Sequence, residues 1–151
     1  YEVIIDLDLT SPLRTVDDIN GCLQALVKSE KANVAYSVTH ARRQPHFNMV
    51  MKNEEGYMER IIKGGFLTRQ DAPQCFDMNA SIYAYKREPL LNNVNNSIFD
   101  GRAVAWVMKD TAVLDIDSEE DFELLQILAG YFFDNYADYR NIRDNIKNIT
   151  G

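Results

Sequence analysis

The sequence predicts an α/β fold, a sheet flanked by capped amphipathic helices, on three observations. Tyr1 to Leu9 is an apolar run in which Val3, Ile5, Leu7 and Leu9 alternate with Glu2, Ile4, Asp6 and Asp8, the period of a strand. A helix start and a further apolar segment follow, so that strand, helix and strand succeed one another. That is a βαβ unit, which implies a parallel sheet with a right-handed crossover. A second helix start, Ser118-Glu119-Glu120-Asp121, follows the last strand-like segments.

In the opening run, Val, Ile and Leu fit a central parallel strand covered on both faces. Asp6 and Asp8 do not suit a dry core, because a buried carboxylate needs a partner, a metal or solvent. The placement that resolves this puts Asp8 at the carboxyl end of the strand, where open α/β sheets keep their ligand crevice. Thr10-Ser11-Pro12 then turns the chain.

Thr15-Val16-Asp17-Asp18 starts a helix, with Thr as cap and an acid three residues on. Ile19, Leu23, Leu26 and Val27 recur at helical spacing, and the helix is expected to end near Lys31. Asn33 to Thr39 reads as a strand and His40 to His46 as a loop. Phe47–Lys52 and Tyr57–Lys63 form a hairpin around Asn53-Glu54-Glu55-Gly56. Its weak alternation predicts an arm that reaches toward another subunit. Residues 64–76 are irregular, Ala80 to Lys86 is a strand, and Glu88 to Asn92 a short helix before an Asn-rich loop. Ala103 to Met108 is a strand and Ala112 to Asp117 an extended piece. The last capped helix places Phe122, Leu125, Leu128, Phe132 and Tyr136 on one face. The polar tail carries Ile142, Ile146 and Ile149 as on a weak helix. No linker or repeat interrupts the chain, which reads as one domain, 1–151, with residues of about 47–69 as the arm.

A net charge of -7 argues against nucleic acid, which requires a basic surface. No apolar run reaches the ~20 residues of a membrane helix, so no membrane partner is expected. Cys22 and Cys75 lack metal-ligand spacing and read as reduced thiols of a cytoplasmic protein.

Three groups of residues carry chemistry. Asp115 and Asp117, two apart in an extended segment, point the same way. Their repulsion calls for a cation, and hard oxygen ligands favour Mg²⁺ held together with substrate phosphates. The competing reading is that Asp117 and Ser118 only cap the next helix. Arg69-Gln70-Asp71, in a loop flanked by Gly and Pro, offers a guanidinium fork for a carboxylate or phosphate, or else a solvated surface arginine. Tyr83 is either a core residue with a satisfied hydroxyl or part of a pocket wall.

In order, these pieces resemble the acylneuraminate cytidylyltransferases. Leu7-Asp8-Leu9-Thr10-Ser11-Pro12-Leu13-Arg14 is similar to the family's LQPTSPLR. Arg69-Gln70-Asp71-Ala72-Pro73, with Phe76 and Asn79-Ala80-Ser81-Ile82-Tyr83, is similar to RQ-x-x-P…F-x-x-NGAIY. Asp115-Ile116-Asp117 with Asp121 is similar to DID-x-x-x-D. Arg42 to Val50 further resembles the branch acting on legionaminic acid, a bacterial diamino relative of sialic acid. The resemblance implies a Rossmann-like nucleotidyltransferase fold with a mostly parallel sheet. It implies CMP transfer from CTP to a nine-carbon 2-keto acid sugar, with Mg²⁺ as cofactor, in the bacterial cytoplasm. It makes Asp115 and Asp117 the catalytic and metal-binding acids. Asp8, Thr10, Ser11, Arg69, Gln70, Asn79 and Tyr83 become substrate-binding residues, and the arm a homodimer contact.

Two departures stand out. The family's IPARGGSK-like phosphate loop has no counterpart, so the resemblance implies a segment before Tyr1 and little CTP binding or turnover by these 151 residues alone. Asp8 stands where the family has Gln. It is either a sugar contact that selects an extra N–H or an additional metal ligand. The alternatives to the enzyme are a non-catalytic sugar-binding or dimerisation module and, with different motifs, a cytidylyltransferase for the eight-carbon acid KDO.

Overall fold

The computed structural model describes residues 1–66, 68, 70–92, 101–110 and 114–150, with the backbone alone for 146–150. Its elements are β1 (Val3–Leu7), α1 (Val16–Lys28), β2 (Val34–His40), β3 (Val50–Lys52), β4 (Met58–Arg60), β5 (Phe76–Lys86), α2 (Arg87–Asn92), β6 (Ala103–Val107), α3 (Glu119–Asn135) and α4 (Ala137–Thr150). Two compact units are present, residues 1–39 with 78–151, and residues 40–77.

The first unit is built on a mixed sheet in the order β1-β5-β2-β6. β2 pairs in parallel with β6, and β1 pairs antiparallel with β5, Val3 opposite Lys86 and Leu7 opposite Ile82. The expected α/β architecture is present, but β5 lies between the two strands of the presumed βαβ unit. Lys86 N–H bonds to Asn33 C=O at one end of the β5–β2 seam, and Ile82 N–H to Ser37 Oγ farther along. β5 thus runs against β2 as well as β1. β1, β2 and β6 all point one way, so their carboxyl ends converge.

β1 is an edge strand among the described residues, not the central parallel strand expected from its composition. Ile5 is 37% and Leu9 86% exposed, and the strand ends at Leu7. The same apolar content fits an edge because one side of β1 packs on the core while the other lacks a neighbour. β2 is the central strand, with Val34, Ala35, Ser37, Val38 and Thr39 buried.

Helix α1 closes one core. Thr15 Oγ1 accepts the Asp18 N–H at 3.1 Å and the Asp18 carboxylate accepts the Thr15 N–H at 2.9 Å, the reciprocal capping box read from the sequence. Cys22 and Leu26 are fully buried with Ala32, Ala35, Ile82, Ala84 and Met108, and Val3, Leu7, Ile19, Val104 and Trp106 pack around them. Burying a residue such as Leu26 contributes about 1.5–3 kcal/mol. The buried stripe is Ile19, Cys22 and Leu26, whereas Val27 is 59% exposed. The helix ends at Lys28, short of Lys31, where Ser29 Oγ accepts the Ala32 N–H.

A second core joins Leu13 to α3 and α4 through Leu125, Phe132 and Tyr139, with Leu128, Tyr136, Leu114 and Ile116 against them. Ser118 caps α3. Phe122, placed on the buried face by spacing, is 42% exposed. Residues 114–117 form no strand; Ala112 and Val113, and most of the Asn-rich loop, lie outside the described residues.

In the second unit β3 and β4 form a hairpin at the predicted place but with shorter strands than the expected Phe47–Lys52 and Tyr57–Lys63, Val50 opposite Arg60 and Lys52 opposite Met58. Gly56, at φ 91°, supplies the left-handed residue that the connection needs. Asn53 secures it, its Oδ1 accepting the Tyr57 N–H at 2.8 Å. Val50, Met51, Tyr57 and Met58 are exposed on the arm.

Two backbone sites yield predictions. Gly21 faces the Trp106 ring, where a Cβ would collide with the indole, itself held by Nε1–H donation to Asp18 Oδ1 at 3.1 Å. Gly21→Ala gains up to ~1 kcal/mol of helix propensity, yet overpacking costs about 1–3 kcal/mol. The expected outcome is a lower urea midpoint at unchanged m-value. Ala80 is the one non-glycine residue at positive φ among the described residues, at 52°, and it stands where the similar motif has Gly. The left-handed region costs an L-residue roughly 1–2 kcal/mol, and a glycine returns about 0.4–1 kcal/mol of that as unfolded-chain entropy. Ala80→Gly is therefore expected to raise stability by roughly 0.5–1 kcal/mol, read from the same titration.

Candidate active site

The polar corner after β1 is held by bonds its own residues dictate. Asp8 Oδ1 accepts the Thr10 N–H at 3.0 Å and the Thr10 hydroxyl at 2.8 Å, an Asx turn of the kind Asp favours. These two bonds, the backbone one first, hold the Asp8 carboxyl below its usual pKa. Both Thr10 bonds end on Oδ1, and the Leu9 amide adds a smaller pull on the same carboxyl. Asp8 N–H donates to Ser81 O at 3.2 Å, which ties the corner to β5.

Beneath the turn lies a buried polar seam. Ser11 Oγ donates to Asn79 O at 2.9 Å, and Ser81 Oγ donates to Ser11 O at 2.8 Å. Ser37 Oγ donates to Asn79 Oδ1 at 2.6 Å, while Asn79 Nδ2–H points at Met108 Sδ, 3.2 Å away. Ser11 and Asn79 are only 2% and 3% exposed. The structure therefore places these two substrate-binding candidates inside the seam, where they hold the corner's shape. Thr10, by contrast, is exposed.

Arg14, part of the opening motif but given no role from the sequence, is the hub of this seam. Its Nη1 reaches Asp8 O at 2.6 Å, Ser11 O at 2.9 Å, Ser81 O at 3.1 Å and Ser81 Oγ at 3.3 Å. Partial burial lowers its pKa, against the pull of Asp8. The available signal was spacing: an arginine six residues past a strand-ending Asp can fold back onto that strand's carbonyl.

The Asp115–Asp117 segment joins the corner through one backbone bond, Ile116 N–H to Thr10 O at 3.0 Å. Asp115 is half-buried, its Oδ1 accepting the Ile116 N–H at 3.1 Å. Asp117 does not serve as the helix cap. Ser118 does that, and the Asp121 carboxylate accepts the Asp117 N–H at 3.2 Å and the Ser118 hydroxyl at 2.7 Å. The Ser118 hydroxyl is the main cause of Asp121's lowered pKa. Asp117's own carboxylate is exposed and takes no hydrogen bond among the described residues.

Tyr83 lies on β5 opposite Asp6, within electrostatic reach of three of the acids. Burial raises its hydroxyl's pKa, and Asp8, Asp6 and Asp115 raise it further. The ring stacks on Tyr85, centroids 6.2 Å apart, and burial pushes the Tyr85 hydroxyl up to about 12. Both phenols stay neutral and able to donate at physiological pH. Among the described residues no three acidic, His or Cys side chains are grouped to hold a metal, so Asp8 does not complete a three-carboxylate cage with Asp115 and Asp117. Residues 114–117 form no strand, so the strand geometry expected to aim Asp115 and Asp117 the same way is absent there.

Arg69 lies outside the described residues. Gln70 belongs to the second unit, where it lines a hollow of ≈ 290 Å³ with His40, Arg43, Gln44, Gln74 and Cys75. Gln44, 4% exposed, braces that wall by donating to Pro73 O at 2.9 Å and accepting from Cys75 Sγ at 3.3 Å.

No family model matches the chain. It is 41% identical over 130 residues to CMP-N,N'-diacetyllegionaminic acid synthase of Campylobacter jejuni, covering 86% of this chain and 54% of that one. It is 37% identical over 128 residues to the post-translational flagellin modification protein B of Campylobacter coli, 85% and 53% of the two chains. An N-acylneuraminate cytidylyltransferase of Streptococcus agalactiae is 25% identical over 128 residues, 85% of this chain and 30% of that one. The chain thus spans about half the length of the first two of these curated relatives. Among solved structures, 4-diphosphocytidyl-2C-methyl-D-erythritol synthase of Anaerococcus prevotii superimposes with a TM-score of 0.53 at 13% identity, covering 82% of this chain and 56% of that one. That likeness shows the fold, a Rossmann-like mixed sheet with flanking helices. Similarity to these three relatives along 85–86% of the chain supports the resemblance to the acylneuraminate cytidylyltransferases that the motifs suggest.

Proposed function

We propose that the chain serves the transfer of CMP from CTP to a nonulosonic acid, a nine-carbon 2-keto acid sugar, most closely a diamino sugar of the legionaminic type. The observation that carries this is the meeting of the Asp8 corner, Tyr83 and Asp115 at the convergent carboxyl ends of the strands. That is where α/β sheets bind ligands. The identity with the Campylobacter jejuni synthase supports the choice of sugar.

In this reaction the sugar's anomeric hydroxyl attacks the α-phosphorus of CTP. A new P–O bond forms, the bond to the β-phosphate breaks, and pyrophosphate leaves. The hydroxyl proton passes to a carboxylate, for which half-buried Asp115 is the better placed. Asp115 and Asp117 would hold Mg²⁺, which when bound offsets the charge that develops on the phosphates. Tyr83, kept neutral by burial and by the acids around it, donates a hydrogen bond to the sugar. Asp8 Oδ2 accepts one from a sugar N–H, which a Gln carbonyl would do without charge. The exposed apolar residues of the β3–β4 arm support its use as a homodimer contact. Consumption of CTP places the reaction in the cytoplasm, and no helix among the described residues is long and apolar enough to cross a membrane.

Two measurements on the complete protein test this. With CTP, Mg²⁺ and a panel of nonulosonic acids, pyrophosphate and a CMP-sugar are expected in equal amounts. Asp115→Asn and Asp117→Asn are each expected to lower kcat by about 10²–10³-fold, the usual loss when a group that stabilises transition-state charge is removed. Transfer to a methylerythritol phosphate instead, or no pyrophosphate with any sugar, refutes the reading. Asp8→Gln is expected to move the kcat/KM ratio between diamino and mono-amino sugars about tenfold toward the latter, one charge-assisted hydrogen bond's worth. An unmoved ratio removes Asp8 from sugar selection.

A further inference from the structure

We infer that Arg14 is the positioning residue of the site, the group that sets where the Asp8 carboxylate and the Asp115–Asp117 segment stand. The inference rests on the proposed transfer only for what the positioned groups do; the positioning itself is a matter of geometry. Four oxygens converge on the single nitrogen Nη1, two from the corner, Asp8 O and Ser11 O, and two from Ser81 on β5. Nη1 carries only two hydrogens, so the bonds are shared among these four acceptors. Removing the cation takes the donor from Asp8 O and leaves Ser11 O and Ser81 O with one donor each, Ser81 Oγ–H and Asp8 N–H, in a partly buried space where unpaired polar groups are costly. The corner is then free to swing away from β5.

That movement would carry the site with it. Asp8 N–H bonds to Ser81 O, Thr10 N–H to Asp8 Oδ1, and Ile116 N–H to Thr10 O. These three amides form one chain of bonds from β5 through the sugar-facing acid to the segment bearing Asp115 and Asp117. Helix α1 stands apart from it, since its cap uses Thr15 and Asp18. Because all four contacts are made by one nitrogen, a lysine ammonium supplies the same donors at a point. A neutral isostere such as Met does not.

The test has two arms. Amide exchange is followed by NMR on the chain. In Arg14→Met, exchange of the Asp8, Thr10 and Ile116 amides is expected to accelerate about tenfold, while β2–β6 amides keep their protection; Arg14→Lys is expected to restore all three to within about threefold. Unchanged exchange at the three amides overturns the inference. So does loss of β2–β6 protection, which would make Arg14 a general structural residue. In the complete protein, Arg14→Met is expected to raise the sugar KM about tenfold in the wild-type background and less than about twofold in an Asp8→Ala background. Equal effects in both backgrounds also overturn it. If the amides respond as expected but the wild-type protein makes no CMP-sugar, the functional reading fails and the positioning role stands.

Discussion

The constraint on which the rest of this structure depends is the pairing of the polar groups buried between the corner after β1 and the middle of β5. Ser11, Ser37, Asn79 and Ser81 are all nearly inaccessible, and each would cost about 1–3 kcal/mol if left without a partner. They avoid that by bonding to one another and to Arg14, which joins segments some seventy positions apart in sequence. Such a network tolerates few geometries. Moving the corner by a fraction of a bond length breaks several contacts at once, so the polar seam specifies position where an apolar core would specify only volume. The two apolar cores reinforce this from either side. Leu7 enters the core under α1, and Leu13 enters the one formed with α3 and α4. The intervening residues 8–12 are pinned at both ends.

The electrostatics of the corner follow from the same geometry. The chain is acidic overall, with a net charge of -7, and four carboxylates, Asp6, Asp8, Asp115 and Asp117, lie on β1, in the corner and in the Ile116 segment. Mutual repulsion would open such an arrangement unless something compensates it. Asp8 is compensated by the Thr10 donors and the nearby Arg14 charge. Asp115 has one backbone donor, and among the described residues the Asp117 carboxylate takes none. The raised pKa of Tyr83 is the counterpart of this: a phenol among carboxylates is held in its donor form.

Much of this was legible in the sequence, for identifiable reasons. The capping box at Thr15 and Asp18 was readable because capping is local: the bonds join residues three apart. The β3–β4 hairpin was readable from Gly56 and its polar neighbours for the same reason. Asp8 at a strand's carboxyl end was readable because Thr10-Ser11-Pro12 turns the chain just after it, although Asp6 remains exposed within β1. The place of β1 was not. Local composition reports burial, whereas the insertion of β5 between β1 and β2 is a long-range event with no local mark. Val27 and Phe122 fell on the exposed side because helical spacing leaves the edges of an apolar stripe undetermined. Arg14 was overlooked since its partners are backbone carbonyls, which every residue has and no sequence displays. That Ser11 and Asn79, read as ligand contacts, are buried in the seam was not legible, because a motif displays residue types and not their burial.

Ala80 shows how the seam and the backbone are coupled. It lies between Asn79 and Ser81, whose side chains both turn into the network and whose carbonyls accept from Ser11, Arg14 and Asp8. Asn79 and Ser81 are two apart, so a strand presents both to one face, and the left-handed φ of Ala80 lies between them. Its cost, of order 1–3 kcal/mol for a non-glycine residue in a sparsely populated region, is tolerated only where surrounding contacts over-determine the conformation. Here they number at least five hydrogen bonds within two residues. Strain at position 80 and saturation at 79 and 81 are thus one feature. β5 carries a left-handed residue between the two whose side chains and carbonyls meet the corner, the strand β2 and Met108 after β6.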